Sequence, residues 1–332
     1  MKTAAISPTD QLASTAARGL FRRRLLSWYD RNRRDLPWRG QRDPYRIWVS
    51  EVMLQQTRVA AVLAHYQRFL ERFPDVHALA AASLDSVLAV WSGLGYYRRA
   101  RMLHQAAQVI VSRHGGELPR GTAELRQLPG FGRYTAAAVA SIAFAEPVAV
   151  VDGNVERVFG RLFAGQGSKG EGAWQAAQQL LALNRPGDFN QAMMELGATV
   201  CVPGDPECAR CPVIQWCATR GRGAAKNKER RRRRTAHYRL AQRAGSVFLV
   251  QRGADVRLMP KMWELPELRL NGTRPPVALR LRHSITVTDF IIEVSLGDPP
   301  SRRRGRWLTP AQVEELPLTG LTRKILRSAK FI

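Results

Sequence analysis

From about residue 16 to about residue 216, apolar side chains return every three to four positions, the spacing that lines them along one face of a helix. After about residue 235 the texture turns to that of short strands. The chain therefore predicts a long helical region followed by a smaller α+β region. Asp43-Pro44 is a helix start, a capping carboxylate followed by proline in the first turn. Beyond it, Val52, Gln56, Val59, Leu63, Tyr66 and Leu70 fall on one helical face, and Pro74 ends the run. Residues 98–114 predict a second amphipathic helix, closed by Gly115-Gly116. Residues 135–144 are small and predict a helix that packs closely; 156–163 and 189–200 predict two more. In the second region, strands are predicted over 238–243, 246–251, 278–282, 285–296 and 304–308, then a short helix over 310–316.

Residues 1–14 read as a flexible tail, 15–220 as one helical domain and 236–332 as a second domain. Between them, 221–235 carries five consecutive arginines, Arg230 to Arg234. Like charges repel and keep such a run extended, so it reads as a basic linker, either lying along phosphate or simply solvated.

Composition sharpens the picture. The 332 residues are 45% apolar, enough for real cores, and no stretch approaches the ~18 apolar residues of a membrane span. Lysine plus arginine number 52 against 27 acidic residues, a formal charge of +25. That excess is the footprint of a polyanionic partner, or of a chain made basic for solubility. The first twenty residues hold no apolar signal segment, so the expected location is the cytoplasm, beside the nucleoid. Nearly all the positive charge is arginine; between residues 20 and 220 the only lysine is Lys169.

Four places carry candidate chemistry. All four cysteines, Cys201, Cys208, Cys211 and Cys217, sit in one cassette with gaps of six, two and five residues. Four thiolates on one loop suit an iron–sulfur cube. Zinc more often takes two close pairs, and Cys208-x-x-Cys211 is the one close pair here; disulfides suit small secreted domains. Leu128-Pro129-Gly130-Phe131-Gly132 leads into a helix, as a helix–hairpin–helix would, and the N–H groups at Gly130 and Gly132 suit a DNA phosphate. An ordinary helix turn is the alternative. Asp152 follows the apolar run 148–151 at a glycine turn, placed for a partly desolvated carboxylate or for a plain N-cap. Glu51 lies beside an apolar helix face, where desolvation would let it keep a proton; pairing with Arg58 or another arginine is the alternative.

Leu36-Pro37-Trp38-Arg39, the run 50–57, Trp91-Ser92-Gly93-Leu94-Gly95-Tyr96-Tyr97, the hairpin, Asp152-Gly153-Asn154-Val155, the segment 189–198 and the cysteine cassette occur in this order. Together they resemble the adenine DNA glycosylases of the MutY family, within the helix–hairpin–helix superfamily. The resemblance is dense over 20–220 and thinner beyond. It implies a mainly α fold: a two-lobed helix–hairpin–helix glycosylase core with an iron–sulfur cluster loop, then a smaller α+β Nudix-like domain. It implies one [4Fe–4S] cluster on the four cysteines. The implied partner is double-stranded DNA with adenine opposite 8-oxoguanine or guanine, bound by a monomer with no membrane association. The adenine would be flipped out of the stack. Glu51 would protonate it, Asp152 would stay ionised and stabilise the sugar cation, and Asn154 and Tyr134 would support them. Trp38, Arg39, Leu54 and Glu195 would hold the adenine. Gln56, Thr57 and Leu94 would read the opposite base, with Tyr96 wedged beside it.

Endonuclease III-type enzymes share the fold but also cut the backbone through a hairpin lysine that forms a Schiff base. Tyr134 stands at the matching position, so base removal without efficient strand cleavage is expected. The remaining alternative is a cluster-bearing DNA-binding protein without catalysis. In the second domain, Val247-Phe248-Leu249-Val250-Gln251-Arg252, Met262-Trp263-Glu264-Leu265-Pro266 and Leu318-Thr319-Gly320-Leu321-Thr322-Arg323-Lys324 resemble the Nudix-like domain of the family. The acidic metal helix of a Nudix hydrolase is absent, which implies binding and not hydrolysis. The loop that touches 8-oxoguanine in relatives here reads His283-Ser284-Ile285-Thr286-Val287, with Thr286 keeping a hydroxyl but the aromatic and second histidine gone. The loop 202–207 between the first two cysteines lacks the basic residues of relatives, with Arg210 and Arg220 as nearby substitutes.

Overall fold

The computed structural model describes residues 12, 14–165, 169–221, 232–256, 258–270, 274–285, 288–300 and 305–332. Eleven helices come first among them: α1 (Thr15–Asn32), α2 (Pro44–Leu54), α3 (Val59–Arg72), α4 (Val76–Ala81), α5 (Leu84–Trp91), α6 (Arg98–His114), α7 (Thr122–Leu125), α8 (Arg133–Phe144), α9 (Gly153–Leu162), α10 (Glu171–Leu180) and α11 (Pro186–Thr199). Two short 3₁₀ turns, Cys208–Arg210 and Ile214–Trp216, carry the cysteine cassette. Then follow β1 (Arg232–Leu240), β2 (Gln242–Arg243), β3 (Ser246–Gln251), β4 (Trp263–Glu264), β5 (Leu279–Ile285), β6 (Thr288–Leu296), β7 (Arg306–Leu308), α12 (Pro310–Glu314) and α13 (Gly320–Ser328). The fold is a mainly helical region with a separate α+β region after it.

The residues group into two compact units that do not follow chain order. One comprises Met1–Gln56 and Val109–Asn227; the other comprises Thr57–Gln108 and Lys228–Ile332. The grouping therefore differs from a single cut near residue 220, because helices α3–α5 cluster with the strands.

In the first unit, local chemistry sets the helix starts. Ser14 caps α1 by accepting from Ala17 N, and the Asp43 carboxylate caps α2 by accepting from Tyr45 N and Arg46 N. From Tyr45 to Met53 every residue of α2 except Arg46 is buried, so α2 is a central helix and not a half-wet one. It packs on α8, and α11 packs on α8, α9 and α1. The small residues 136–140 of α8 are all fully buried, which is what close packing requires. Two ring pairs, Phe21–Trp216 and Trp48–Phe131, stand 5.4 and 5.2 Å apart and tie α1 to the cassette and α2 to the hairpin.

The single helical run expected from Val52 to Leu70 is broken. α2 ends at Leu54 and α3 starts at Val59, because Gln56 takes a left-handed conformation with φ +56°. The buried face of α3 is Val62, Tyr66 and Phe69, while Leu63 points outward at 37% exposure. The apolar period crossed a turn that periodicity does not register.

In the second unit, β1 runs parallel to β6, and β6 antiparallel to β5, giving the order β1-β6-β5. A second sheet has the order β2-β3-β4, with β7 also on β3. Val247, Leu249, Ile292, Val294, Leu318, Ile325 and Leu326 form the core between these sheets and α13. Arg232–Thr235, expected in the linker, form the start of β1 instead, paired in register from Arg232↔Thr288 to Thr235↔Ile291. Their side chains stay exposed, so the backbone gains a ladder while the charge stays solvated. The long strand expected over 285–296 is two: β5 ends at Ile285 and β6 begins at Thr288.

Candidate active site

Glu51 lies in the middle of α2, 6% exposed. Tyr134, in the first turn of α8, donates its phenolic O–H to Glu51 Oε2 at 2.6 Å, with Met194 Sδ of α11 at 3.4 Å from the same hydroxyl. Burial pushes the Glu51 carboxyl above its usual range, and the nearby charge of Asp152 pushes it further. The Tyr134 hydrogen bond and the Arg39 guanidinium pull the other way without offsetting burial. Tyr134 itself is driven well up by burial and by the charges of both Glu51 and Asp152, so it remains a donor. Glu51 and Tyr134, 83 positions apart, thus meet directly, and Asp152, 101 positions from Glu51, is near enough for its charge to act on both.

Asp152 is the N-cap of α9. One oxygen accepts from Val155 N at 2.8 Å and the other from Asn154 Nδ2 at 2.8 Å. The main-chain N–H of Asn154 adds a third donor. Burial raises this carboxyl too, and the donors oppose it without offsetting burial. Capping and an active carboxylate are thus compatible in the same side chain, since the cap uses only one oxygen. Arg157, one turn along α9, donates to Asn154 Oδ1 at 2.8 Å, Gly197 O at 2.6 Å and Cys201 O at 2.9 Å. Gly197 of α11 is required here: a Cβ would lie 2.7 Å from Asn154 Cβ.

The expected adenine-holding residues occupy the same unit. Trp38 is 5% exposed and Leu54 is half-buried. Glu195, fully buried in α11, accepts from Arg34 Nε at 2.7 Å, Arg34 Nη2 at 3.0 Å, Arg34 N at 3.1 Å and Arg39 Nη2 at 2.8 Å. Burial lifts Glu195, but the two guanidiniums outweigh it and hold its carboxyl below the usual range. Arg39 also donates to the Tyr29 hydroxyl and lies over that ring. Both Glu195 oxygens are therefore engaged by arginines. Arg34, Tyr29, Arg157 and Met194 escaped the sequence reading. Arg34 sits 161 positions from Glu195, and no local pattern signals such a pair.

The hairpin is a tight turn between α7 and α8. Gly130 has φ +77°, a conformation glycine adopts without steric cost, and Gly132 is the N-cap of α8. Both glycines are exposed, while Phe131 between them is buried against Trp48. The turn thus anchors by its one apolar side chain and leaves backbone N–H groups on the outside.

Of the expected opposite-strand readers, Gln56 is exposed at the end of the first unit. Thr57, Leu94 and Tyr96 belong to the second unit: Thr57 half-buried, Leu94 5% exposed and Tyr96 47% exposed with φ +49°. Thr286 lies outside the described residues.

None of the four cysteines is in a disulfide, and all are half-buried. The four sulfurs are near enough for Cys211 to feel the charges of Cys201, Cys217 and Cys208. Burial pushes the Cys211 thiol up to about 12. N–H groups already face sulfur: Arg161 Nη1 stands 3.3 Å from Cys201 Sγ, and Arg220 N stands 3.4 Å from Cys217 Sγ. Among the described residues no set of three or more Cys, His, Asp or Glu side chains is closed to metal-holding spacing.

Comparison with known proteins is consistent with this geometry. The HhH-GPD superfamily of base excision DNA repair proteins matches residues 49–182. The adenine DNA glycosylase of Mus musculus is 49% identical over 228 residues, covering 64% of this chain and 44% of the relative. That of Homo sapiens is 50% identical over 216 residues, covering 61% and 40%. The chain spans about half the length of the curated relatives it matches. Among solved structures, a thermostable thymine-DNA glycosylase superposes with a TM-score of 0.56 at 30% identity, over 60% of this chain and 95% of that one.

Proposed function

We propose that this chain, which belongs to the HhH-GPD superfamily of base excision DNA repair proteins, is of its MutY-like adenine DNA glycosylase branch and excises adenine mispaired with 8-oxoguanine or guanine. The observation that carries this reading is the Tyr134–Glu51 hydrogen bond at 2.6 Å with Asp152 near enough for its charge to act on both groups. Two carboxyls of opposed protonation are what departure of a base from a sugar needs. Glu51, desolvated and facing one phenol, keeps its proton and passes it to the adenine ring. The bond between C1′ and the base breaks, and its electron pair leaves with the adenine. Asp152, whose oxygens are supplied with three N–H donors, is the better anion of the two. It faces the cation that develops at C1′; water then adds to C1′, and the proton it releases returns to the carboxyl pair and restores protonated Glu51. Asn154 and Arg157 hold Asp152 in place.

Trp38, Arg39 and Leu54 line the adenine side of this site. Glu195 acts there through Arg39, which it neutralises and orients. Gly130 and Gly132 offer N–H groups to a DNA phosphate. Gln56, Thr57, Leu94, Tyr96 and Thr286 are assigned to the opposite strand. Cys201, Cys208, Cys211 and Cys217 fit a [4Fe–4S] cluster: four soft thiols on one loop, with N–H donors at two of the sulfurs. When bound, the cluster supplies a covalent staple that fixes the loop following α11. The α+β region reads as a Nudix-like domain that binds without hydrolysing, given its motifs at 247–252, 262–266 and 318–324 and its lack of an acidic metal helix.

The test is a single-turnover reaction on duplexes bearing adenine opposite 8-oxoguanine, guanine or cytosine. Free adenine is expected from the first two, fastest from the first, with the strand intact until alkali is added. No adenine release from any duplex overturns the reading; strand breaks before alkali favour a bifunctional lyase.

A further inference from the structure

Arg99, in the first turn of α6, sits in a layered arrangement that catalysis does not use. Its guanidinium carbon stands 5.4 Å from the Trp91 ring centroid and 5.2 Å from that of Tyr96. Its Nη2 donates to Thr57 Oγ1 at 3.0 Å and to Gly95 O at 3.2 Å. Trp91 is a fixed floor: it is fully buried, packed edge-on with Phe69 at 5.9 Å, and its indole N–H donates to Gly95 O at 3.0 Å. Tyr96 is the outer layer, 47% exposed and held at φ +49°. A non-glycine residue in that region carries strain that its surroundings must hold. An exposed aromatic ring on a left-handed backbone, set beside a half-buried cation, is a costly arrangement for a surface side chain without a task.

We propose that Arg99 is a positioning residue for reading the strand opposite the target base: in cation–π contact with both Trp91 and Tyr96 and bonded to Thr57, it fixes the Tyr96 ring and the Thr57 hydroxyl together before DNA arrives. The proposal rests on the assignment of Tyr96 and Thr57 under the proposed function. The guanidinium is essential to it, because one group lies within cation–π distance of two rings and still donates from Nη2 to both Thr57 and Gly95, which the compact charge of a lysine ammonium does not match. Burial brings the Arg99 guanidinium down to about 10, still charged at neutral pH. Pre-organisation of this kind improves binding and discrimination more than bond breaking.

The experiment is a double-mutant cycle on Arg99→Lys and Tyr96→Ala in the full chain. Affinity is measured for duplexes carrying a tetrahydrofuran abasic analogue opposite 8-oxoguanine or guanine, and the single-turnover rate is measured at saturating enzyme. Arg99→Lys is expected to weaken 8-oxoguanine duplex binding about tenfold, to narrow the preference over guanine, and to lower the saturating rate by less than the affinity. Combined with Tyr96→Ala, it should cost clearly less than it does alone, because only its bond to Thr57 is then left to lose. Losses that multiply overturn the proposal, as does a saturating rate that falls as far as the affinity. Arg99→Gln serves as the second variant; if circular dichroism shows both Arg99 variants unfolded, the residue is part of the core and the proposal fails. A wild type that binds these duplexes but releases no adenine refutes the proposed function, and the binding cycle still decides the role of Arg99. A wild type that binds neither duplex refutes both.

Discussion

At the scale of single residues, two buried carboxyl groups, one on α2 and one on α11, have opposite fates. Glu51 has one phenol and little else, and burial raises it; Glu195 has two arginines, and they lower it despite full burial. Their contributions to stability therefore run in opposite directions with pH. For Glu51, whose folded pKa is raised, stability is fully present below about pH 4.5 and is lost as pH rises through the folded value. Glu51→Gln is thus expected to melt higher than the wild type at neutral pH, with the gap closing toward pH 4.5; thermal melts across pH 4–8 check this, and a constant gap would contradict it. For Glu195, whose folded pKa is lowered, stability is present above about pH 4.5 and is lost as pH falls through the folded value. Glu195→Gln leaves Arg34 and Arg39 without their carboxylate and should cost about 3 kcal/mol at neutral pH. Urea denaturation should show that cost shrinking in acid. Glu51 and Asp152 could be singled out as candidates in the sequence because each sits in a short contiguous motif. The Arg34–Glu195–Arg39 fork could not, because its members come from a loop and from α11, and only the fold joins them.

At the scale of elements, the site depends on how closely α11 approaches α9. Gly197 allows this approach, with Asn154 where a Cβ would be. Gly197→Ala must move one helix or turn Asn154 away from Asp152. The expected result is about 1–3 kcal/mol of lost stability together with a slower single-turnover rate, read by melting and by adenine release. A variant that melts and turns over like the wild type would show that α11 does not set Asn154. The helix starts at Ser14 and Asp43 and the hairpin at Gly130 are legible locally, since caps and left-handed glycines leave marks in sequence. The break between α2 and α3 is not. Gln56 is polar and ordinary in composition, and the apolar residues on either side happen to keep a helical phase across it. Arg232–Thr235 mislead in the other direction: a run of arginines signals an extended, solvated chain, and the β6 edge that pairs with it lies more than fifty positions further on.

At the scale of the whole molecule, charge and the scarcity of lysine make two statements. With a formal charge of +25, binding to duplex should weaken steeply with salt. If about six phosphates are neutralised, the slope of log affinity against log salt is about −5, and a slope near zero would rule out DNA as the partner. With Tyr134 where a lyase needs an amine and Lys169 alone between residues 20 and 220, borohydride should trap no covalent complex with DNA. The helical and α+β regions were legible as a sequence boundary, whereas the grouping of Thr57–Gln108 with Lys228–Ile332 was not, because it arises from packing between segments distant in sequence. The most direct test of the whole account compares adenine release by wild type and Glu51→Gln under single turnover, opposite 8-oxoguanine, with duplex affinity measured alongside. The account predicts that Glu51→Gln binds the duplex as a folded protein and loses at least about a hundredfold in rate; a variant that releases adenine at the wild-type rate would contradict it.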